Sequence, residues 1–368
     1  MDAKIAGFGL TGWAWLLMLA VSVYYFLTVK ATRSFPLRFW IPWLVYLVVW
    51  LAADFSFFGV QLTLQYMLPI IVGVVASSFT YDKEKLHWLY KKMFLLCLVL
   101  VLLFAYGILF YKGYTPYAAY TPMLLSVMAA VSMGAFYLSK KARFFGVYAV
   151  LFLIPFLDVT RMALLVFLVI LILHFANRNI LSKISFAVAG IILAIFVFNT
   201  QAFQEKTFFQ GKGELTDLQS NLNYYDESNS VFNTSGRSQF YRYYEPGLKA
   251  SPLVGNGPRA DLYLLEKVVG GSGVSEAHND YLSVLYNYGN IGLGLLLFGF
   301  IPTFLSLYGR FLNEKNQYRI LLQTSAMILT VTFLMSMYSD NMLKSTVFFA
   351  DFYFVLIGMA YAPYDDKT

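Results

Sequence analysis

Eleven apolar runs divide this chain, and they constrain its fold more than any other feature. A helix needs about 20 apolar residues to cross a bilayer. Runs of that order lie at about 6–29, 39–58, 61–79, 93–111, 118–138, 144–157, 160–176, 181–199, 281–308, 320–338 and 345–363. The sixth is short and the ninth long. The chain of 368 residues is 59% hydrophobic and 13% charged, proportions foreign to a soluble domain of this size. Apolar runs this long satisfy their backbone in lipid as helices. The expected fold is therefore all-α, a polytopic transmembrane helical bundle of about eleven spans. The first run is too long for a secretion signal and lacks a small-residue cleavage site, so it counts as a span.

Basic residues in the short connections set the orientation. Fifteen Lys and Arg lie in the first, third, fifth, seventh and ninth connections, among them Lys83, Lys92, Lys141, Arg143 and Arg310. The opposite segments hold four, Lys4, Lys112, Arg161 and Lys344. That bias puts the odd-numbered connections in the cytoplasm, the N-terminus outside and the C-terminus inside, as an odd number of spans requires. The net charge of +7 follows from this placement and signals no affinity for nucleic acid. The single cysteine, Cys97, lies inside an apolar run, so no disulfide forms within the chain.

One connection is long. Residues 200–280 are then extracytoplasmic, and the chain divides into N-terminal helices (1–199), this loop domain (200–280) and C-terminal helices (281–368). Long loops of mixed composition are usually functional. The part at 211–233 is rich in Asn, Ser and Asp. A helix is predicted from Arg237 to about Glu245, and Pro252-Leu-Val-Gly-Asn-Gly-Pro258 is turn chemistry. Asp261 to Val269 is amphipathic; it either lies on the membrane surface or packs on the loop itself. Gly270-Gly-Ser-Gly273 reads as a hinge.

The loop ends in Ser275-Glu-Ala-His278-Asn279-Asp280, where the ninth run begins. A helix starting near Ser275 would have a Ser cap and an acid in its first turn. It would set His278 at the mouth of a span. At about 100° per residue, Gly289 and Gly292 return to within roughly 40° of the histidine's face, and glycines there let a neighbouring helix approach closely. The spacing His278-Asn279, nine residues, Gly289, two residues, Gly292 resembles the signature of the bacterial O-antigen ligase and polymerase superfamily. Two further stretches strengthen the resemblance. Arg161 with Leu165 resembles a short ligase pattern. Gly236-Arg237-Ser238-Gln239-Phe240-Tyr241-Arg242 resembles the family segment that carries an essential basic residue, with Arg237 the better match and Arg242 the second.

The resemblance implies an inner-membrane glycosyltransferase with a helical architecture of the glycosyltransferase-C type. Such an enzyme takes a glycan from an undecaprenyl-diphosphate-linked donor on the periplasmic face. A ligase passes it to a lipid A-core sugar, a polymerase to the next lipid-linked repeat. The residue types suit that chemistry. Breaking a sugar–diphosphate bond develops charge that Arg161 and Arg237 can hold by bidentate hydrogen bonds. His278 can take the proton of the acceptor hydroxyl. Tyr241, Arg242 and Asn279 are candidate substrate contacts, Tyr241 through the apolar face of a sugar. Arg161 also has a structural reading, as an ion pair with Asp158. Tyr241, Tyr243 and Tyr244 serve equally well as loop core.

No metal, cofactor or nucleotide motif is present: no P-loop, no Rossmann glycines, no His-Glu-x-x-His. His87 and His174 sit at cytoplasmic span ends and read as interfacial. The expected partners are the lipid-linked donor, a lipid A-core or lipid-linked glycan acceptor and membrane lipid. A polysaccharide transporter or flippase is the alternative of another class. It would show internal repeats and broken mid-membrane helices, and no repeat is evident. A non-catalytic scaffold of an assembly complex is a third class, and a transfer assay separates the three.

Overall fold

A computed structural model describes residues 10–29, 32–111, 121–174, 180–208, 210–214, 237–269 and 276–365. The described residues are helical apart from turns and one isolated bridge between Tyr81 and Tyr364. In chain order the helices are α1 (Leu10–Thr28), α2 (Ile41–Ala53), α3 (Phe57–Ala76), α4 (Lys83–Tyr111), α5 (Thr121–Ser139), α6 (Ala142–Leu157) and α7 (Arg161–His174). There follow α8 (Ile180–Phe198), α9 (Gln201–Thr207), α10 (Arg237–Ala250), α11 (Ala260–Val269), α12 (Asp280–Asn313), α13 (Gln317–Ser336) and α14 (Asp351–Tyr361), the last entered through a π turn at Thr346–Ala350.

Each of the eleven expected apolar segments coincides with a helix. Four of them, α3, α4, α12 and α13, have the length and hydropathy of a full crossing. A fifth forms if α8 and α9, bent by 72°, make one broken span, and the remaining six apolar helices fall short of that length among the described residues. The helical membrane bundle stands; among the described residues four to five helices reach full crossing length, which leaves the expected eleven spans unconfirmed.

The most buried of the long helices is α13, which packs against α5, α7, α12 and α14. Its core contacts are aromatic: Phe333 lies 5.4 Å from Phe300 of α12 and 4.8 Å from Tyr353 of α14. Between α3 and α14 the contact is backbone to backbone. A Cβ on Gly358 would fall on the Gly73 carbonyl, and one on Gly73 would lie 2.8 Å from the Phe354 oxygen. Without a hydrophobic drive between helices in lipid, such small-residue contacts carry the packing. At the periphery, α4 turns Leu95, Leu98 and Leu102 outward.

Candidate active site

The loop helices pack on the start of α12. Leu265 of α11 and Tyr244 of α10 are buried with Ala277, Leu282 and Tyr286 in a small apolar core separate from that of the bundle. The Tyr244 ring meets Tyr286 edge-on at 4.8 Å. Of its two readings, the amphipathic stretch thus packs on the loop. Tyr244 is core, whereas Tyr241 keeps 37% of its surface exposed.

Beneath that core lies a buried ion network on which the sequence reading placed no function. The Lys344 ammonium is 3.0 Å from the Asp261 carboxylate, 3.8 Å from Glu276 and 3.5 Å from the Ser283 hydroxyl. Arg259 donates to Glu276 at 3.0 Å. The side chains of Lys344 and Asp261 are 4% and 2% exposed, so each charge depends on its partner. Burial alone would raise the Asp261 carboxyl. The charges of Lys344 and Arg259 outweigh it and hold the group below the ordinary carboxylate range. Asp280 adds backbone ties: its N–H donates to the Met337 carbonyl at 2.8 Å, and its carboxylate accepts the Leu343 N–H at 2.9 Å. The connection between α13 and α14 is thereby fastened to the end of the loop. No sequence pattern links these residues; a lone lysine opening an apolar segment was the one available signal.

The expected helix start is corrected. Residues 276–279 are not helical, and Ser275 lies outside the described residues. Helix α12 begins at Asp280, where the Asn279 side chain accepts the Leu282 N–H at 3.0 Å. Asn279 therefore caps the helix. Freeing residues 276–279 from helix lets Glu276 turn inward to Arg259 while His278 faces out.

The shared face of His278, Gly289 and Gly292 is also corrected, because α12 breaks at Gly289. That residue has φ 66° and ψ −171°, a region essentially restricted to glycine. What approaches it is loop backbone rather than a helix. Asn256 and Gly257 donate their N–H groups to the carbonyls of Tyr286 and Asn287 at 2.9 and 3.0 Å. Asn290 and Ile291 donate to the carbonyls of Pro252 and Leu253 at 2.9 and 3.0 Å. The turn at 252–257 thus plugs the break and satisfies the groups that the break frees. A Cβ on Gly289 would sit on the Leu253 carbonyl, whereas one on Gly294 would meet nothing within 4 Å. Gly289→Ala is expected to cost at least about 1–3 kcal/mol from backbone strain alone. Gly294→Ala is neutral or stabilising, since alanine favours helix. Thermal unfolding of the two variants in detergent tests this, and equal melting temperatures would refute the plug.

His278 stands at this junction with φ 50°, uncommon for a residue with a Cβ. Its side chain is half exposed, and its Nδ1 lies 3.4 Å from the Asp340 carboxylate. The other expected residues stand on other elements. Arg161 opens α7, half-buried, and Asp158 accepts the Thr160 hydroxyl at 2.6 Å. Helices α7 and α12 both pack on α13. Arg242 is exposed on α10, which packs on α12. Arg237 is the first residue of α10, and its side chain lies outside the description. A cavity of about 420 Å³ opens beside the loop, lined by Asp54, Asn256, Tyr263 and Lys267 among others. No group of three metal-ligating side chains occurs among the described residues.

Residues 146–298 match the family model described as O-antigen ligase, a segment that contains Arg161, Arg237 and the whole His278–Gly292 spacing. No curated protein matches the chain.

Proposed function

As a member, through residues 146–298, of the bacterial O-antigen ligase and polymerase superfamily, this multi-pass membrane protein acts, we propose, as a glycosyltransferase. It moves a glycan from a lipid-diphosphate donor to an acceptor hydroxyl, with a lipid A-core sugar as the acceptor of the ligase form. The observation that carries this reading is the setting of His278. An exposed imidazole on a strained backbone faces a carboxylate, at a junction anchored below by buried ions and beside it by a plugged helix break.

The roles follow from that setting. Asp340 accepts from Nδ1–H of His278 and leaves Nε2 as the basic atom. A base oriented by a second group is the arrangement proton abstraction needs, and its hydrogen bonds commonly tighten only on substrate binding. The acceptor oxygen attacks the anomeric carbon, its proton passes to Nε2, and the sugar–phosphate C–O bond breaks. The diphosphate leaves with the bonding pair, its charge held by Arg161 and Arg237. Asn279 and Arg242 border the path of the glycan, and Tyr241 offers an exposed ring for a sugar face. The cavity beside Asp54 and Tyr263 is near the size of small-ligand sites.

The transporter class requires broken helices that line a path. The break in α12 is instead filled by loop backbone, which favours a fixed scaffold for chemistry. The decisive experiment is transfer from a purified lipid-linked glycan to lipid A-core or to a second lipid-linked glycan, which also separates ligase from polymerase.

The proposed side of the membrane has its own test. In a Cys97→Ser background, a cysteine placed at Ser220 is expected to react with an impermeant maleimide before the inner membrane is opened. Labelling only after permeabilisation would reverse the orientation, with the loop in the cytoplasm.

A further inference from the structure

A second cavity, left without a role so far, lies away from the histidine. A cavity of about 750 Å³ opens between α4, α5, α13 and α14. Its walls are apolar, with Leu96, Val131, Leu322, Phe352 and Leu356 among them. Its mouth is basic. Lys83, His87 and Lys92 of α4 meet Lys141 and Arg143 from the corner between α5 and α6, with Glu84 the sole acid in the lining. Four fixed cations thus face one carboxylate.

Among the described residues no carboxylate forms an ion pair with these cations. The ion pairs among the described residues lie elsewhere, and neither Lys83, Lys92, Lys141 nor Arg143 joins one. Arg143 lies over the Phe144 ring at 4.9 Å and Lys92 over Trp88 at 5.6 Å. Such stacking leaves N–H donors free. All four residues are exposed.

We propose that this cavity is a binding site for an anionic diacyl phospholipid, with its chains between the helices and its phosphodiester headgroup on the basic rim. The walls decide the first half. A cavity lined by side chains of this kind offers water no partners, and left vacant it forfeits the dispersion contacts of its lining. In a membrane the filler at hand is hydrocarbon. The rim decides the second half. Basic side chains at a membrane surface attract anionic lipid, and basic pockets between spanning helices select charged headgroups. A guanidinium adds bidentate contact to a phosphate.

The spread of the rim favours a diacyl lipid over a polyprenyl phosphate. Lys83 and Lys92 are nine residues apart on one helix, roughly 13 Å along its axis, and Lys141 and Arg143 stand on another element. A diacyl headgroup sets ester and glycerol oxygens beside its phosphodiester and so offers acceptors across such a rim, whereas a polyprenyl phosphate offers only the phosphate at the end of a hydrocarbon chain. The inference is independent of the glycosyl-transfer reading, because it uses none of the residues assigned to that chemistry.

Lipid titration of the purified full-length protein by native mass spectrometry tests it. Phosphatidylglycerol, phosphatidylcholine of the same chains and a polyprenyl phosphate are compared. Phosphatidylglycerol is expected to bind about tenfold or more tightly than phosphatidylcholine. The exposed pair Lys141→Gln and Arg143→Gln removes that preference, while Val131→Trp, which fills the cavity, weakens both phospholipids. Lys212→Gln and Lys249→Gln, on the loop side, leave it intact. Equal binding of the two phospholipids overturns the proposal, as does a preference that survives the rim variant. Rim-dependent binding of the polyprenyl phosphate in preference to phosphatidylglycerol overturns the assignment to a diacyl lipid.

Discussion

Replacing His278 by Gln lowers glycan transfer by about 10²–10⁴-fold, the usual cost of losing a positioned acid–base group. Glutamine keeps the polarity and much of the volume, and the side chain it replaces is half exposed and packs into no core. Expression and membrane insertion therefore persist. Donor binding persists too, because the diphosphate is assigned to Arg161 and Arg237. The loss appears in the rate of transfer at saturating donor, not in the donor concentration needed.

Asp340→Asn sharpens the assignment. An amide at that position still hydrogen-bonds the ring but no longer stabilises the imidazolium that forms as the proton arrives. Transfer drops by less than in the histidine variant, because the ring keeps its orientation and loses only the facing charge. A His278→Gln variant that retains most of its transfer rate would reduce the residue to packing or orientation. The 3.4 Å contact with Asp340 would then be a structural ion pair.

The parts of this arrangement differ in how far the sequence discloses them, for physical reasons. The apolar helices are legible because a run of about 20 apolar residues has one solution in lipid. The histidine junction is legible because polar composition gives way to apolar composition at Asp280. The break at Gly289 is not, because a glycine inside an apolar run looks the same whether the helix continues or opens. Only the approach of residues 252–257, more than thirty positions earlier, distinguishes the two. The helix cap is misplaced for a related reason. Serine at 275 and asparagine at 279 are both good caps, and the choice falls to Glu276, drawn inward by Arg259. The ion network is the least legible. Arg259, Asp261, Glu276 and Lys344 each resemble solvated surface charges, and they become a cluster only when α11 and the α13–α14 connection meet.

That cluster carries the largest expected effect on stability. Lys344→Met leaves Asp261 and Glu276 with Arg259 as their one remaining cation, in a site where Asp261 is almost wholly buried. Removing one partner of a buried pair typically costs about 3–5 kcal/mol, because the other charge stays desolvated. Asp261→Asn in the same chain discards that stranded charge, so the double variant recovers much of the loss, and a double-mutant cycle on unfolding in detergent measures the coupling. Acid should act like Asp261→Asn alone, since a protonated Asp261 leaves Lys344 without that charged partner. The folded Asp261 carboxyl lies below its ordinary value, so its contribution is fully present above about pH 4, the unfolded range. It is lost as pH falls through the lower folded value. The same turn that holds Lys344 also presents Asp340 to His278. Lys344→Met is thus expected to impair transfer at temperatures where the protein remains folded, which a surface lysine would not do. If Lys344→Met melts with the parent protein, the network does not anchor the histidine junction, and the position of Asp340 must be set by the α13–α14 connection alone.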